Sequence, residues 1–327
     1  MNTITSAQRM TSITNVSHKR VAVLSFVRSG VVLAIFANIL WGASFLASKY
    51  TLAAWKPFTV SSLRFGIATV LLFIGLKFFN EKIEVPQSFK DWLNLILVAT
   101  TGFGLLYPFQ LAGLKYITSG LSAAIMLTSP LFVILAGKLF LDEKLTARKI
   151  IAVVIGMVGG FFLLHSNGSL AFRFSDSISS GTFLTLISSL CLALLVIFTK
   201  KLTGKLDSAN ITFWSMAVGF FELTIAAFIF EEEGLANIIR TSTPSAWIAL
   251  FFLALVCSAF CFFIWNLALA KASPREIAST MHIKTPTAVL IGIYLANEKM
   301  TLPILFGTGI VMLGVWLSQY SFNGRKS

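Results

Sequence analysis

The sequence predicts an all-α integral membrane protein of ten transmembrane helices arranged as two inverted five-helix repeats. Three observations predict it. The 327-residue chain is 56% hydrophobic, has a mean hydropathy of +0.84 and is only 12% charged, where a soluble domain carries about 25% charged residues. About ten apolar runs reach the roughly 17 to 25 residues needed to cross a bilayer. Finally, short patterns in the first half return in the second at an offset of 156 residues.

In chain order, a polar arm over residues 1–29, rich in Ser and Thr, carries Arg9, Lys19, Arg20 and Arg28. The apolar run behind it has the look of a signal sequence, but nine further spans make it a retained first helix. The spans fall near 30–50, 57–79, 92–114, 118–140 and 148–166, then 178–200, 208–230, 246–270, 275–296 and 302–321. An outer linker over 167–177 separates a first unit (30–166) from a second (178–321), and a short tail follows over 322–327. The 31 phenylalanines suit lipid-facing surface, and Cys191, Cys257 and Cys261 lie within apolar runs as packing residues.

A net charge of +13 raises the question of nucleic acid, but the basic residues are scattered between apolar runs rather than gathered on one domain. That pattern follows the positive-inside rule. With the N-terminus in the cytoplasm, the inner segments hold 18 Lys and Arg and the outer loops 6, so both termini are expected to face the cytoplasm. Arg64 and Lys284 fall within spans. Short loops and basic inner edges point to a bacterial inner (plasma) membrane.

Self-similarity gives the repeat. Lys115 matches Lys271 and Pro130 matches Pro286; after a one-residue slip, Asp142-Glu143-Lys144 matches Asn297-Glu298-Lys299, and Gly159 matches Gly314. Trp92 and Trp247 open the third and eighth spans. Five helices is an odd number, so the second copy enters the membrane inverted, an architecture shared by many secondary transporters, with the binding site near midplane. Trp41-Gly42-Ala43-Ser44, Pro57, Arg64-Phe65 and Pro130 followed by Leu141-Asp142-Glu143 resemble an EamA-type repeat of the drug/metabolite transporter superfamily. The second copy keeps Pro286, Asn297-Glu298 and Gly314, but has Leu192-Ala193 for Trp41-Gly42 and Ser215 for Arg64. The resemblance covers about residues 30–320. It implies secondary transport of small metabolites, amino acids or drugs through a central cavity.

Within that frame the segment Met281-His282-Ile283-Lys284-Thr285-Pro286 stands out. A charge at mid-bilayer costs about 2.5–3.5 kcal/mol on insertion scales and usually faces a bundle interior. Lys284 lies about 3 Å along the helix from Pro286, taken as the span's centre, at 1.5 Å per residue. Its repeat partner is Thr128, so the symmetric scaffold does not require the charge. Thr280, Lys284 and Thr287 share a helical face, with Ser279 and His282 beside it, and a cation there suits a substrate carboxylate or phosphate. Glu222 and Arg64 are also buried and ionisable. Two readings stand: a structural pair, Glu222 with Arg64 or with Lys284, or an anion on Lys284 with Glu222 or His282 taking up a coupling proton. Asn38, Trp41, Ser44, Tyr107, Gln110, Trp265 and Asn266 are further candidates for the cavity wall.

Structural duties are expected elsewhere. Glu143 and Glu298 end the fourth and ninth spans, and the expectation is that they cap the following helix or pair with Lys144 or Lys299. Gly156 and Gly160 form a small-xxx-small spacing for helix packing within the subunit. Pro130 and Pro286 break their helices, as packing kinks or as gating elements, and Gly102, Gly104 and Pro108 loosen the third span.

The leading function is a secondary transporter for a small anionic or zwitterionic metabolite, such as an amino acid, working by alternating access. An exporter of hydrophobic or cationic drugs is the alternative, and a membrane-embedded enzyme a more distant one. The chain has no H-E-x-x-H, G-x-S-x-G or Walker A pattern, so no catalytic residue, metal or cofactor is expected. The expected partners are a small-molecule substrate, membrane lipids and a coupling proton, without nucleic acid, in a monomer or homodimer.

Overall fold

In lipid every backbone N–H and C=O must find a partner inside the chain, and the apolar runs meet that demand as helices. The computed structural model describes residues 30–79, 82–164, 177–231, 238–240, 242–272, 276–277, 280–299 and 301–319. The N-terminal arm, linker residues 167–176, Ser279 and the 322–327 tail lie outside the described residues. The helices are α1 (Gly30–Leu52), α2 (Pro57–Phe78), α3 (Phe89–Leu114), α4 (Ser119–Leu141), α5 (Ala147–Leu164), α6 (Ser177–Leu202), α7 (Ser208–Phe230), α8 (Pro244–Lys271), α9 (Lys284–Ala296) and α10 (Leu302–Gln319). Among the described residues there is no strand, only one isolated bridge between Thr203 and Leu206. Seven of these helices, α1 to α4 and α6 to α8, are long and apolar enough to cross a membrane. α5 and α10 are 18 residues each, and α9 has 13, preceded by a 3-10 turn over Met281–Ile283.

Helix starts are written into the sequence. Ser88, Thr118, Asp207 and Thr243 each turn a side-chain oxygen onto an N–H of the first turn of α3, α4, α7 and α8, satisfying donors that have no partner within the helix.

Three local irregularities recur at the repeat offset. α3 widens into a π segment over Thr100–Leu105, and α8 does so over Phe252–Phe260. In α3 the cause is legible, because Pro108 has no N–H to offer the turn below it; α8 carries neither Gly nor Pro in its π segment. α4 breaks at Leu127–Thr128 and restarts at Ser129, just before Pro130, as α9 restarts at Lys284 before Pro286. α4 and α9 end on Asp142 and Asn297, both left-handed with φ of 52°. There the amides of Glu143 and Glu298 donate back to the carbonyls of Gly137 and Gly292 at 3.2 and 3.0 Å.

Close backbone approach sets the packing. α1 lies against α8 and α9: a Cβ on Gly30 would sit 2.7 Å from the Ala268 carbonyl, and one on Gly42 2.7 Å from the Lys284 carbonyl. α5 and α10 form a second tight pair, where a Cβ on Gly159 would lie 2.7 Å from the Val311 nitrogen and one on Gly314 2.7 Å from the Ala152 carbonyl. The expected Gly156 and Gly160 pairing is corrected here. Gly156 touches Leu131 and meets Gly314, but Gly160 faces open space, and Gly159 is the second contact. The helix turns about 100° per residue, so a one-residue error in register moves the packing face.

Candidate functional site

The site is built where α1, α2, α3, α8 and α9 meet. Trp41 on α1 donates its indole N–H at 2.8 Å to the carbonyl of Cys257, which lies within the α8 π segment. Its ring packs on Phe262 and Trp265 at centroid distances of 5.4 and 5.1 Å. The next residue in each chain segment carries the arrangement outward. Gly42 abuts Lys284 and Thr287 of α9, while Ser258 accepts from the Nε of Arg64 on α2 at 2.8 Å. The guanidinium carbon of Arg64 lies 4.8 Å from the centre of the Tyr107 ring and 5.1 Å from that of Phe65, within cation–π range.

Several expected wall residues are occupied in holding helices together. Asn38 donates to Ala34 at 2.8 Å and to Thr280 at 3.1 Å; Thr280 in turn donates to Ile277. Ser44 donates to the Trp41 carbonyl, and Asn266 to Thr212 on α7 at 3.3 Å. Thr287 turns toward Gly42 and donates to Ile283. The polar face expected on α9 is thus largely spent against α1, because the 3-10 turn winds more tightly than the α-helix used to lay out that face. His282 sits half-buried in the middle of this turn. Thr285 ties α9 to α4 by donating to the Ala123 carbonyl at 3.1 Å.

Lys284, Tyr107, Gln110 and Trp265 keep free polar groups: none makes a side-chain hydrogen bond among the described residues. Lys284 is half-buried. The structural charge pairs expected for Glu222 are absent among the described residues, where no carboxylate lies within ion-pair distance of Arg64 or Lys284. Glu222 turns instead into the α3 π segment. One carboxylate oxygen accepts from Thr100 at 2.7 Å; the other is buried against Gly104 without a partner. The loosening expected of the third span from Gly102, Gly104 and Pro108 is there as the π segment, but that Glu222 turns into it depends on how α7 packs against α3.

The terminal glutamates also choose other partners than expected. Glu298 accepts from the Ser119 amide (2.8 Å), the Ser119 hydroxyl (2.7 Å) and the Gly120 amide (3.2 Å), and pairs with Lys49 at 3.0 Å. It therefore caps α4, not the following α10, and its partner is Lys49 rather than Lys299. Burial pushes this carboxyl up, but the Ser119 and Lys49 donors outweigh it and leave it below the usual glutamate value. Glu143 bonds Lys200 at 2.8 Å and Lys149 at 3.4 Å rather than Lys144, and the Lys200 bond holds it low. Glu231, which in sequence is merely the first of an acidic run, is buried and caps α2 through the amides of Phe58 and Thr59 and the Thr59 hydroxyl, each at 2.8 Å.

Two stretches, residues 28–165 and 179–320, match the model of the EamA-like transporter family. The chain belongs to that family. An uncharacterized transporter of Archaeoglobus fulgidus is 29% identical over 280 residues, 86% of this chain and 93% of its own. A probable amino-acid metabolite efflux pump of Salmonella typhimurium is 21% identical, over 90% of this chain and 96% of its own. One solved crystal structure shares the fold with a TM-score of 0.62 at 14% identity, covering 88% of this chain and 96% of that one. This EamA-like protein is therefore an integral membrane transporter, and its family gives it a small-molecule substrate and a bilayer environment.

Proposed function

We propose that this EamA-like protein is a secondary transporter of a small anionic or zwitterionic organic metabolite, carried by alternating access through ten membrane helices in two inverted repeats. The observation that carries the substrate reading is the Lys284 ammonium: a cation at the first residue of α9, with no hydrogen bond or ion pair among the described residues. An intramembrane charge without a partner marks a substrate or ion pathway, and an ammonium recruits carboxylate or phosphate. The printed name of the Salmonella relative agrees with an amino-acid-like cargo. The paired π segments, the paired proline restarts and the paired left-handed caps support the repeat reading. Wet or protein-lined irregular backbone at midplane is also where transporter sites form. Glu222 is the residue for a coupling proton, since its buried oxygen has neither donor nor cation beside it. The basic inner loops support cytoplasmic termini in a plasma membrane.

The test is counterflow into proteoliposomes, wild type against Lys284→Gln, with amino acids, organic anions and lipophilic cations as labelled species. Uptake of an anion or zwitterion that the variant loses is the expected result. Uptake of lipophilic cations that survives Lys284→Gln sinks the reading and makes the protein a drug exporter.

A further inference from the structure

Arg64 has been accounted for only as a scaffold contact, and its geometry leaves most of it unused. The residue is 3% exposed, on a helix long and apolar enough to span the membrane. Its Nε–H is spent on Ser258, and two aromatic rings face its guanidinium. The four N–H bonds of the two terminal nitrogens have no acceptor among the described residues. The edge left open is the forked end of the guanidinium, the edge that takes a carboxylate or phosphate through two parallel hydrogen bonds. Aromatic faces offset part of the cost of burying the charge but supply no hydrogen-bond acceptor.

The position of that edge matters. Ser258, which fixes Arg64, follows Cys257, which fixes Trp41; Gly42, the next residue of α1, touches the backbone of Lys284. One step along α8 and one along α1 therefore connect two cations, each lacking a counter-ion among the described residues. By count of residues from the outer helix ends at 1.5 Å each, Arg64 starts about 10 Å inward and Lys284 about 18 Å inward, a stagger that a small molecule spans.

We propose that Arg64 is a second anion-binding residue, so that the substrate is a small organic anion with two acidic groups, one held by the Arg64 fork and one by Lys284. This rests on the reading of Lys284 given above. A single acidic group would leave one buried cation uncompensated at every turnover, whereas two acidic groups neutralise both.

The probes are two matched pairs, succinate with succinamate and aspartate with asparagine. In each pair one carboxylate is replaced by an amide of the same shape. In wild-type proteoliposomes the diacid is expected to compete at least about 30-fold better than its amide partner, the scale of one charge-assisted hydrogen-bonded contact. Arg64→Gln should collapse that ratio toward one, and Arg64→Lys, which keeps the charge without the fork, should restore only part of it. Equal competition by acid and amide in the wild type overturns the proposal without any variant having to fold. So does a ratio unchanged in Arg64→Gln, or failure of both diacids to compete. A monocarboxylate that needs Lys284 while acid and amide compete equally would leave the transport reading standing and remove Arg64 alone.

Discussion

Removing the Glu298 carboxylate should open the start of α4 while leaving the corresponding Glu143 site little changed. Glu298 accepts three hydrogen bonds from Ser119 and Gly120 and pairs with Lys49, and its side chain is only 9% exposed. Hydrogen bonds to a charged group contribute about 1.5–3 kcal/mol each but do not add, and a charge at a helix N-terminus gives a further fraction. In Glu298→Ala, Lys49, with its side chain 30% exposed, is re-solvated at small cost. The two amides lose their acceptor, which puts the local penalty at about 2–3 kcal/mol. Hydrogen exchange by mass spectrometry reads this directly: the peptide holding Ser119 and Gly120 should exchange about 30- to 150-fold faster. Glu143→Ala removes contacts to Lys200 and Lys149 whose side chains are 60% and 28% exposed. Exposed pairs of that kind are worth at most about 1 kcal/mol, less than about a fivefold change. Unchanged exchange at Ser119 and Gly120 in Glu298→Ala would refute the capping argument, as would equal responses at the two glutamates.

Two further outcomes follow from the same contacts. Gly159→Ala drives a methyl into the Val311 backbone and should cost about 1–3 kcal/mol of overpacking, whereas Gly160→Ala meets nothing; thermal unfolding in detergent should separate the two, and equal losses would return the interface to the Gly156 and Gly160 register. The depressed Glu298 carboxyl contributes stability that is present above the unfolded glutamate value near 4.3 and is lost as pH falls through the lower folded value. The difference in unfolding temperature between wild type and Glu298→Ala should therefore hold constant from about pH 8 to pH 5 and shrink only below the ordinary glutamate range; a difference that fades near neutrality would contradict it.

Sequence reading reached the fold through signals that survive averaging. Hydropathy, loop length and the offset between Pro130 and Pro286 each report on many residues or on a feature with one physical effect. Counting along the apolar runs also singled out Lys284, Arg64 and Glu222 as ionisable residues within them. It did not reach azimuth. The π segment of α8 has no Gly or Pro to announce it, yet it supplies the carbonyl that Trp41 takes. The 3-10 turn before Lys284 turned Thr280 onto Asn38. Glu231 was hidden in an acidic run because a carboxylate that caps a distant helix differs from a solvated one only in tertiary context.

The helices repeat their mechanical parts but not their charges. Left-handed caps, broken fourth and ninth helices and widened third and eighth helices recur at the same offset. By contrast, Lys284 corresponds to Thr128, whose hydroxyl is fully engaged with Ile125 and Ser189, and Arg64 corresponds to Ser215. Had both halves kept the cations, four positive charges would crowd one membrane interior, and two unit charges even 8 Å apart repel by about 2 kcal/mol at an effective dielectric of 20. Small neutral hydroxyls at the matched positions avoid that repulsion without disturbing the backbone. On the alternating-access reading proposed above, mechanical symmetry serves a two-sided gate, and chemical asymmetry serves a single substrate in a single orientation. The residues at which the two halves disagree are therefore where the substrate of this EamA-like protein should be sought.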